Sequence, residues 1–186
     1  MTYDPERHHR RSIRLKGHDY AGAGTYFVTI CAQDREPLFG EIVEAEVCLS
    51  DLGRIVEEEW LRTPSLRPRI VLGEYVVMPN HMHGIIMVVE GRDTAPPCPY
   101  ASAFGKPVAG SLSTVIGAFK AMATKRINDL RDTRGARVWQ SNYYEHIIRN
   151  ERELVAIRRY ILGNPAQWGA DRENPACLRV RAAPMR

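Results

Sequence analysis

Three things are scarce in this chain, and each scarcity removes a class of function. Long apolar runs are missing: the longest wholly apolar stretch is Ile85 to Val89, far below the roughly 20 residues a membrane-spanning helix needs, so no membrane partner is expected. Cysteine is sparse and scattered. Cys31, Cys48, Cys98 and Cys177 form neither a C-x-x-C pair nor any zinc-ribbon spacing, which excludes a ribbon and leaves four unpaired small hydrophobes. An apolar leader is also lacking, because Met1 to Lys16 is polar and charged; no secretory signal is expected, and the cytoplasm is the expected location. There is no G-x-x-x-x-G-K-[ST] segment either, so nothing points to nucleotide hydrolysis.

What is present describes a folded body with basic ends. The 186 residues are 44% hydrophobic, enough for one domain with a core. The formal charge is only +4 and the pI about 9.0, but basic residues gather at Arg7, Arg10, Arg11, Arg14 and Lys16, and again at Arg179, Arg181 and Arg186. Such tails suit a polyanion and equally serve solubility.

Periodicity orders the rest. Residues 25–32 are β-branched and aromatic and read as a strand buried on both faces. A weaker strand over 43–49 is expected to form a hairpin or an edge with it. Ser50 is a fair N-cap for a helix to about Arg62, stopped by Pro64. Strands are expected over 69–78 and 81–89 around a Pro79-Asn80 turn, and the proline-rich stretch 91–110 is a loop. Ser111 opens a helix to about Leu130, with Lys120, Thr124, Lys125 and Asn128 opposite its apolar face. A strand over 138–148 follows, then a helix over 151–163, with Asn150 and Glu153 at capping-box spacing. The order is βαββαβ plus a terminal helix: an α+β, ferredoxin-like arrangement in which 81–89 is a central strand. Ile85, Met87 and Val89 share the His81 face and need the added helix as cover, while Met82, Ile86 and Val88 pack under the crossover helices.

The chemistry concentrates in His81-Met82-His83. On a strand, residues two apart point to one face, about 7 Å apart along the backbone, so both imidazoles can share a divalent ion. Histidine is a costly choice for two same-face positions of a buried strand unless each ring finds a partner. A Mg²⁺ or Mn²⁺ ion would supply one and leave positions for phosphate oxygens. His-x-His pairs also occur as ordinary strand residues. Tyr160 and Asn164 are four apart on the terminal helix and share a face; a half-buried aromatic and a helix-ending residue before Pro165 would leave the same spacing.

The segments Val77-Met78-Pro79-Asn80-His81-Met82-His83, Trp139-Gln140 with Glu145-His146-Ile147-Ile148-Arg149, and Tyr160-Ile161-Leu162-Gly163-Asn164-Pro165 resemble the single-tyrosine transposases of the HUH superfamily, most closely the REP-associated tyrosine transposases. The likeness runs from about Thr25 to Trp168. It implies a basic arm over 1–22, a catalytic domain over 23–168 and a basic tail over 169–186. It further implies a metal-dependent single-stranded DNA endonuclease and strand transferase, with Tyr160 as nucleophile and His81, His83 and Asn164 holding Mg²⁺ or Mn²⁺. Glu145 and His146 match a family signature, with a structural role open to them. The implied partner is single-stranded or hairpin DNA, met by a monomer or homodimer in the cytoplasm near the nucleoid. Arg10, Arg11, Arg14, Lys16, Lys120, Lys125 and Arg126 are the cations available for phosphates. Two other classes compete: a domesticated nucleic-acid-binding protein without turnover, and a hydrolase that activates water.

Overall fold

The computed structural model describes residues 18–90, 110–171 and 174. Arg10, Arg11, Arg14 and Lys16 lie outside the described residues, as does most of the proline-rich stretch. Four strands form one antiparallel sheet: β1 (Gly24–Cys31), β4 (Ile70–Met78), β5 (His81–Val88) and β6 (Tyr144–Ile148), in the order β4-β5-β1-β6. The intervening β2 (Gly40–Val43) and β3 (Glu46–Leu49) pair only with each other. Helices α1 (Asp51–Leu66) and α2 (Leu112–Arg131) are the crossovers, and α3 (Glu151–Gly163) is the added helix. This is the ferredoxin-like topology with β1 and β5 in the centre.

Each helix starts where a side chain takes an orphan amide. Ser50 accepts from Gly53 N–H at 3.1 Å, Ser111 from Thr114 N–H at 3.4 Å and Asn150 from Glu153 N–H at 2.9 Å. The two sheet faces then bury different cores. Under α1 and α2 lies the larger one, including Tyr26, Val28, Ile30, Trp60, Met82, Ile86, Ile116, Phe119 and Ile127. Between the sheet and α3 lies a satellite of four buried residues, Phe27, Ile85 and Ile148 from the sheet and Ile161 from the helix. Strand alternation explains the split, since Met82 and Ile86 point one way and His83 and Ile85 the other. Gly84 is the exception that packing demands: a Cβ there would overlap the Trp60 ring, so the indole lies directly against the strand.

Four expectations are corrected. The segment 43–49 does not join β1; it straddles a tight turn in which Glu44 and Ala45 both have positive φ, 51° and 67°, without the Asn-Gly signature that usually marks one. Pro64 lies inside α1, which continues to Leu66; buried Trp60 and Thr63 hold the last turn to the sheet, and the proline forfeits a single ladder bond. The strand expected over 138–148 keeps only Tyr144–Ile148 plus an isolated bridge from Trp139 to Ala32. The Lys120 ammonium gathers the carbonyls of Gln140, Ser141 and Asn142 to one point, a convergence that an extended strand, with carbonyls alternating in direction, does not offer. Asn128 is buried, its amide donating to the Ala136 carbonyl at 2.9 Å.

Candidate metal and tyrosine site

The site is built at one end of the sheet on the α3 side. His81 and His83 come from β5, and β1 runs beside it with Cys31 opposite His81 and Thr29 opposite His83. Cross-strand neighbours lie close enough for side chains to meet, so Thr29 Oγ1 reaches His83 Nδ1 at 2.8 Å. The Phe27 ring stacks on the His83 ring, with centroids 5.3 Å apart.

His81 is oriented by its own predecessor. Asn80 Nδ2 donates to the Arg35 carbonyl at 3.1 Å, which leaves Asn80 Oδ1 to accept from His81 Nδ1–H at 2.8 Å. His81 Nε2 therefore carries a lone pair. It lies 3.0 Å from His83 Nε2, and the Tyr160 hydroxyl lies 3.2 Å from that same nitrogen. In the tautomer that donates Nδ1–H to Thr29 Oγ1, His83 Nε2 also carries a lone pair, and the two Nε2 atoms, 3.0 Å apart, then present their lone pairs to one cation. The separation is also what neighbouring ligands about 2.1 Å from an octahedral ion would show.

Burial fixes the charge of the pair. His81 is 0% and His83 3% exposed. Desolvation, and then the Arg35 charge, bring His81 down to about 3. Desolvation followed by the His81 charge brings His83 to about 3 against the opposing pull of Asp171. Both rings are neutral near pH 7.

From the other side come α3 and the short 3₁₀ turn Pro165–Ala170. Tyr160 keeps 43% of its surface exposed, whereas Asn164 is 2% exposed and its Oδ1 is buried with no hydrogen-bond partner. Burial pushes the Tyr160 phenol up, Asp171 adds to that, and the Asn164 amide pulls the other way. The 3₁₀ turn brings Asp171 over the sheet. Ligand atoms of His81, His83 and Asp171 lie within 4.8 Å of one another, a group that could hold a metal ion. The donor set fits a divalent cation: two neutral imidazoles, a carboxylate and an orphaned amide oxygen. His83, Asn164, Asp171 and Tyr160 border a cleft of about 760 Å³ that also takes in Arg35, Gln140 and Tyr143, with His81 buried behind it.

Sequence reasoning did not find Asp171, Thr29 or Asn80. The last was visible only as a turn residue, though an Asn just before a ligating histidine is a fair signal for an orienting partner. Of the cations singled out earlier, Lys125 is exposed on α2. The Lys120 ammonium is engaged by three carbonyls, and Arg126 pairs with Glu59 at 2.9 Å and with Glu58 at 2.6 Å. Arg126 thus bridges α2 to α1 in the first place.

Fold and site together define an α+β ferredoxin-like protein whose central strand carries a paired-histidine group beside a helix-borne tyrosine. The same fold occurs in the solved REP-associated tyrosine transposase bound to a REP hairpin, with a TM-score of 0.58 and 22% identity over 84% of this chain and 75% of that one. The chain belongs to the family of an uncharacterized protein of Haemophilus influenzae, to which it is 39% identical over 176 residues, 91% of this chain and 95% of that protein. No family model matches it. Among the described residues no helix is long and apolar enough to cross a membrane.

Proposed function

We propose that the protein is a transposase-like, metal-dependent nuclease and strand transferase acting on single-stranded or hairpin DNA in the cytoplasm. The observation that carries this reading is the convergence of Tyr160 Oη and His81 Nε2 on His83 Nε2, at 3.2 and 3.0 Å, from two elements distant in sequence. A purely structural tyrosine has no need of a neutral, lone-pair-bearing histidine pair. The fold shared with a protein solved on a REP hairpin supports DNA as substrate.

His81, His83 and the orphaned Asn164 Oδ1 would hold Mg²⁺ or Mn²⁺, and the Asp171 carboxylate would balance part of its charge. When bound, the ion supplies Lewis-acid polarisation of a non-bridging phosphate oxygen. Tyr160 attacks phosphorus in line; the bond from phosphorus to Oη forms as the bond to the 3′-oxygen breaks. The 3′-oxygen leaves as a hydroxyl, the phenol proton having passed to water in the open cleft. The product is a 5′-phosphotyrosine. A 3′-hydroxyl of another strand reverses the step and joins a new end, so no nucleotide is consumed. Raised above its ordinary value by burial, the phenol is mostly protonated near pH 7, and the nearby positive charge promotes its ionisation.

Incubation with hairpin-bearing single-stranded oligonucleotides and Mn²⁺ is expected to yield a covalent adduct whose DNA-linked peptide contains Tyr160, and Tyr160→Phe is expected to abolish it. Cleavage that persists in the variant would transfer the chemistry to an activated water. Salt-sensitive binding with no adduct from the wild-type protein would leave a binding module.

A further inference from the structure

A second depression, of about 1110 Å³, lies between the outer face of α2 and the segment leading to β6. Its open cations are Lys125, Arg134 and Arg137, and Asp129 is the carboxylate among its lining residues. These three cations make no ion pair among the described residues, unlike Arg54, Arg62, Arg126 and Arg158, which meet carboxylates; what sets them apart from other cations outside those pairs is that all three line one depression. The groove lining therefore carries an excess of positive charge over its one carboxylate. The turn that carries it is braced: Asn128 Nδ2 donates to the Ala136 carbonyl at 2.9 Å and Thr133 Oγ1 to Asn128 Oδ1 at 3.3 Å. Asp132 and Gly135 take positive φ, 51° and 82°, to complete the reversal. Cations on a braced turn lose little freedom on meeting an anion.

The groove is not isolated from the histidine cleft. Gln140 lines both, Ser141 lines the groove and Asn142 the cleft, and Lys120 pins this dividing wall through its carbonyl contacts. A polymer passing Gln140 therefore leaves one depression and enters the other. The volume exceeds what a single small anion needs, and the cations are spread along it.

We propose that this groove binds the phosphate backbone of the same single strand whose reacting phosphate occupies the histidine–tyrosine cleft, which rests on the function proposed above. Arg134 and Arg137 are phosphate contacts that position the strand without reading its bases.

The test compares the wild-type protein with Arg134→Glu/Arg137→Glu by fluorescence anisotropy across a salt series. The probes are a labelled oligonucleotide too short to leave the cleft and one long enough to fill both depressions. The expected result is an affinity loss for the long strand of about tenfold or more, with a salt slope lowered by about 1.4 for two lost phosphate contacts, and an unchanged short strand. Equal affinity and slope for the long strand overturn the proposal, as does an equal loss on both probes. An advantage of the same size for a duplex overturns the single-strand assignment. Arg134→Gln/Arg137→Gln, with an unchanged unfolding midpoint, guards against a folding defect and is expected to give the same ranking. Anisotropy reads binding without chemistry. Failure of the groove leaves the Tyr160 adduct intact, and an adduct surviving Tyr160→Phe sinks the catalytic reading while the groove result stands.

Discussion

Asn80 offers the sharpest dissection of the site, because its two amide atoms do different jobs. The oxygen accepts from His81 Nδ1 at 2.8 Å and the nitrogen donates to the Arg35 carbonyl at 3.1 Å, and the residue is fully buried. Asn80→Ala removes both. Loss of an orienting partner to a ligating histidine lowers metal affinity by about 10–100-fold, or about 1.4–2.7 kcal/mol. The freed Arg35 carbonyl adds a stability cost of about 1–3 kcal/mol, seen as about 2–4 °C of Tm per kcal/mol in a chain of this size. Asn80→Asp separates the two effects: it keeps an acceptor for His81 but loses the donor to Arg35. Its Mn²⁺ affinity is therefore expected within about threefold of wild type, less than the tenfold worth about 1.4 kcal/mol, with a stability loss like that of the alanine variant. Calorimetric titration with Mn²⁺ and thermal unfolding measure both quantities. Saturating Mn²⁺ is expected to restore adduct formation to Asn80→Ala, and never to Tyr160→Phe. An alanine variant that folds and binds Mn²⁺ like the wild type would refute the assignment of His81 as an ion ligand oriented by Asn80.

Two further outcomes follow from the same contacts. Both histidines are held from the ordinary 6.5 down to about 3 by burial, so the unfolded chain takes up protons that the folded one refuses; their contribution is full above about pH 6.5 and drains away as pH falls from there through about 3. The urea midpoint should therefore decline between pH 7 and 5, and His81→Asn/His83→Gln should flatten that decline; an unchanged slope in the double variant would assign the acid sensitivity to other groups. Arg126→Ala is expected to cost about 1–3 kcal/mol, since Glu59 is 4% exposed and would keep only the longer 3.7 Å contact with Arg62; denaturant unfolding measures it, and an effect confined to DNA affinity would contradict the helix-bridging role.

Much of this was legible in the residues. The βαββαβ order, the central place of β5 and the two-sided packing of Met82 and Ile85 follow from period-two alternation, which survives any tertiary context that buries both faces. His81 and His83 announced themselves because two polar rings interrupt an apolar strand. What stayed hidden depended on partners distant in sequence. Lys120 reads as a surface cation on helical spacing, yet it draws together the carbonyls of Gln140–Asn142, twenty residues away, where a strand was expected. Pro64 reads as a stop, but anchors one turn earlier outweigh it. Asp171 belongs to a segment that reads only as a basic tail without periodicity, and a 3₁₀ turn after Pro165 is what carries it to the histidines.

The helix bearing Tyr160 sets its own buried Ile161 against three buried sheet side chains, Phe27, Ile85 and Ile148, on the opposite side of the sheet from the main core. It can lift away while the larger half stays folded, so the reactive hydroxyl's availability is governed by a local equilibrium far smaller than global unfolding. Amide exchange along Glu151–Gly163 should accordingly run ahead of exchange in β1 and β5, and the protein can withdraw its nucleophile without coming apart.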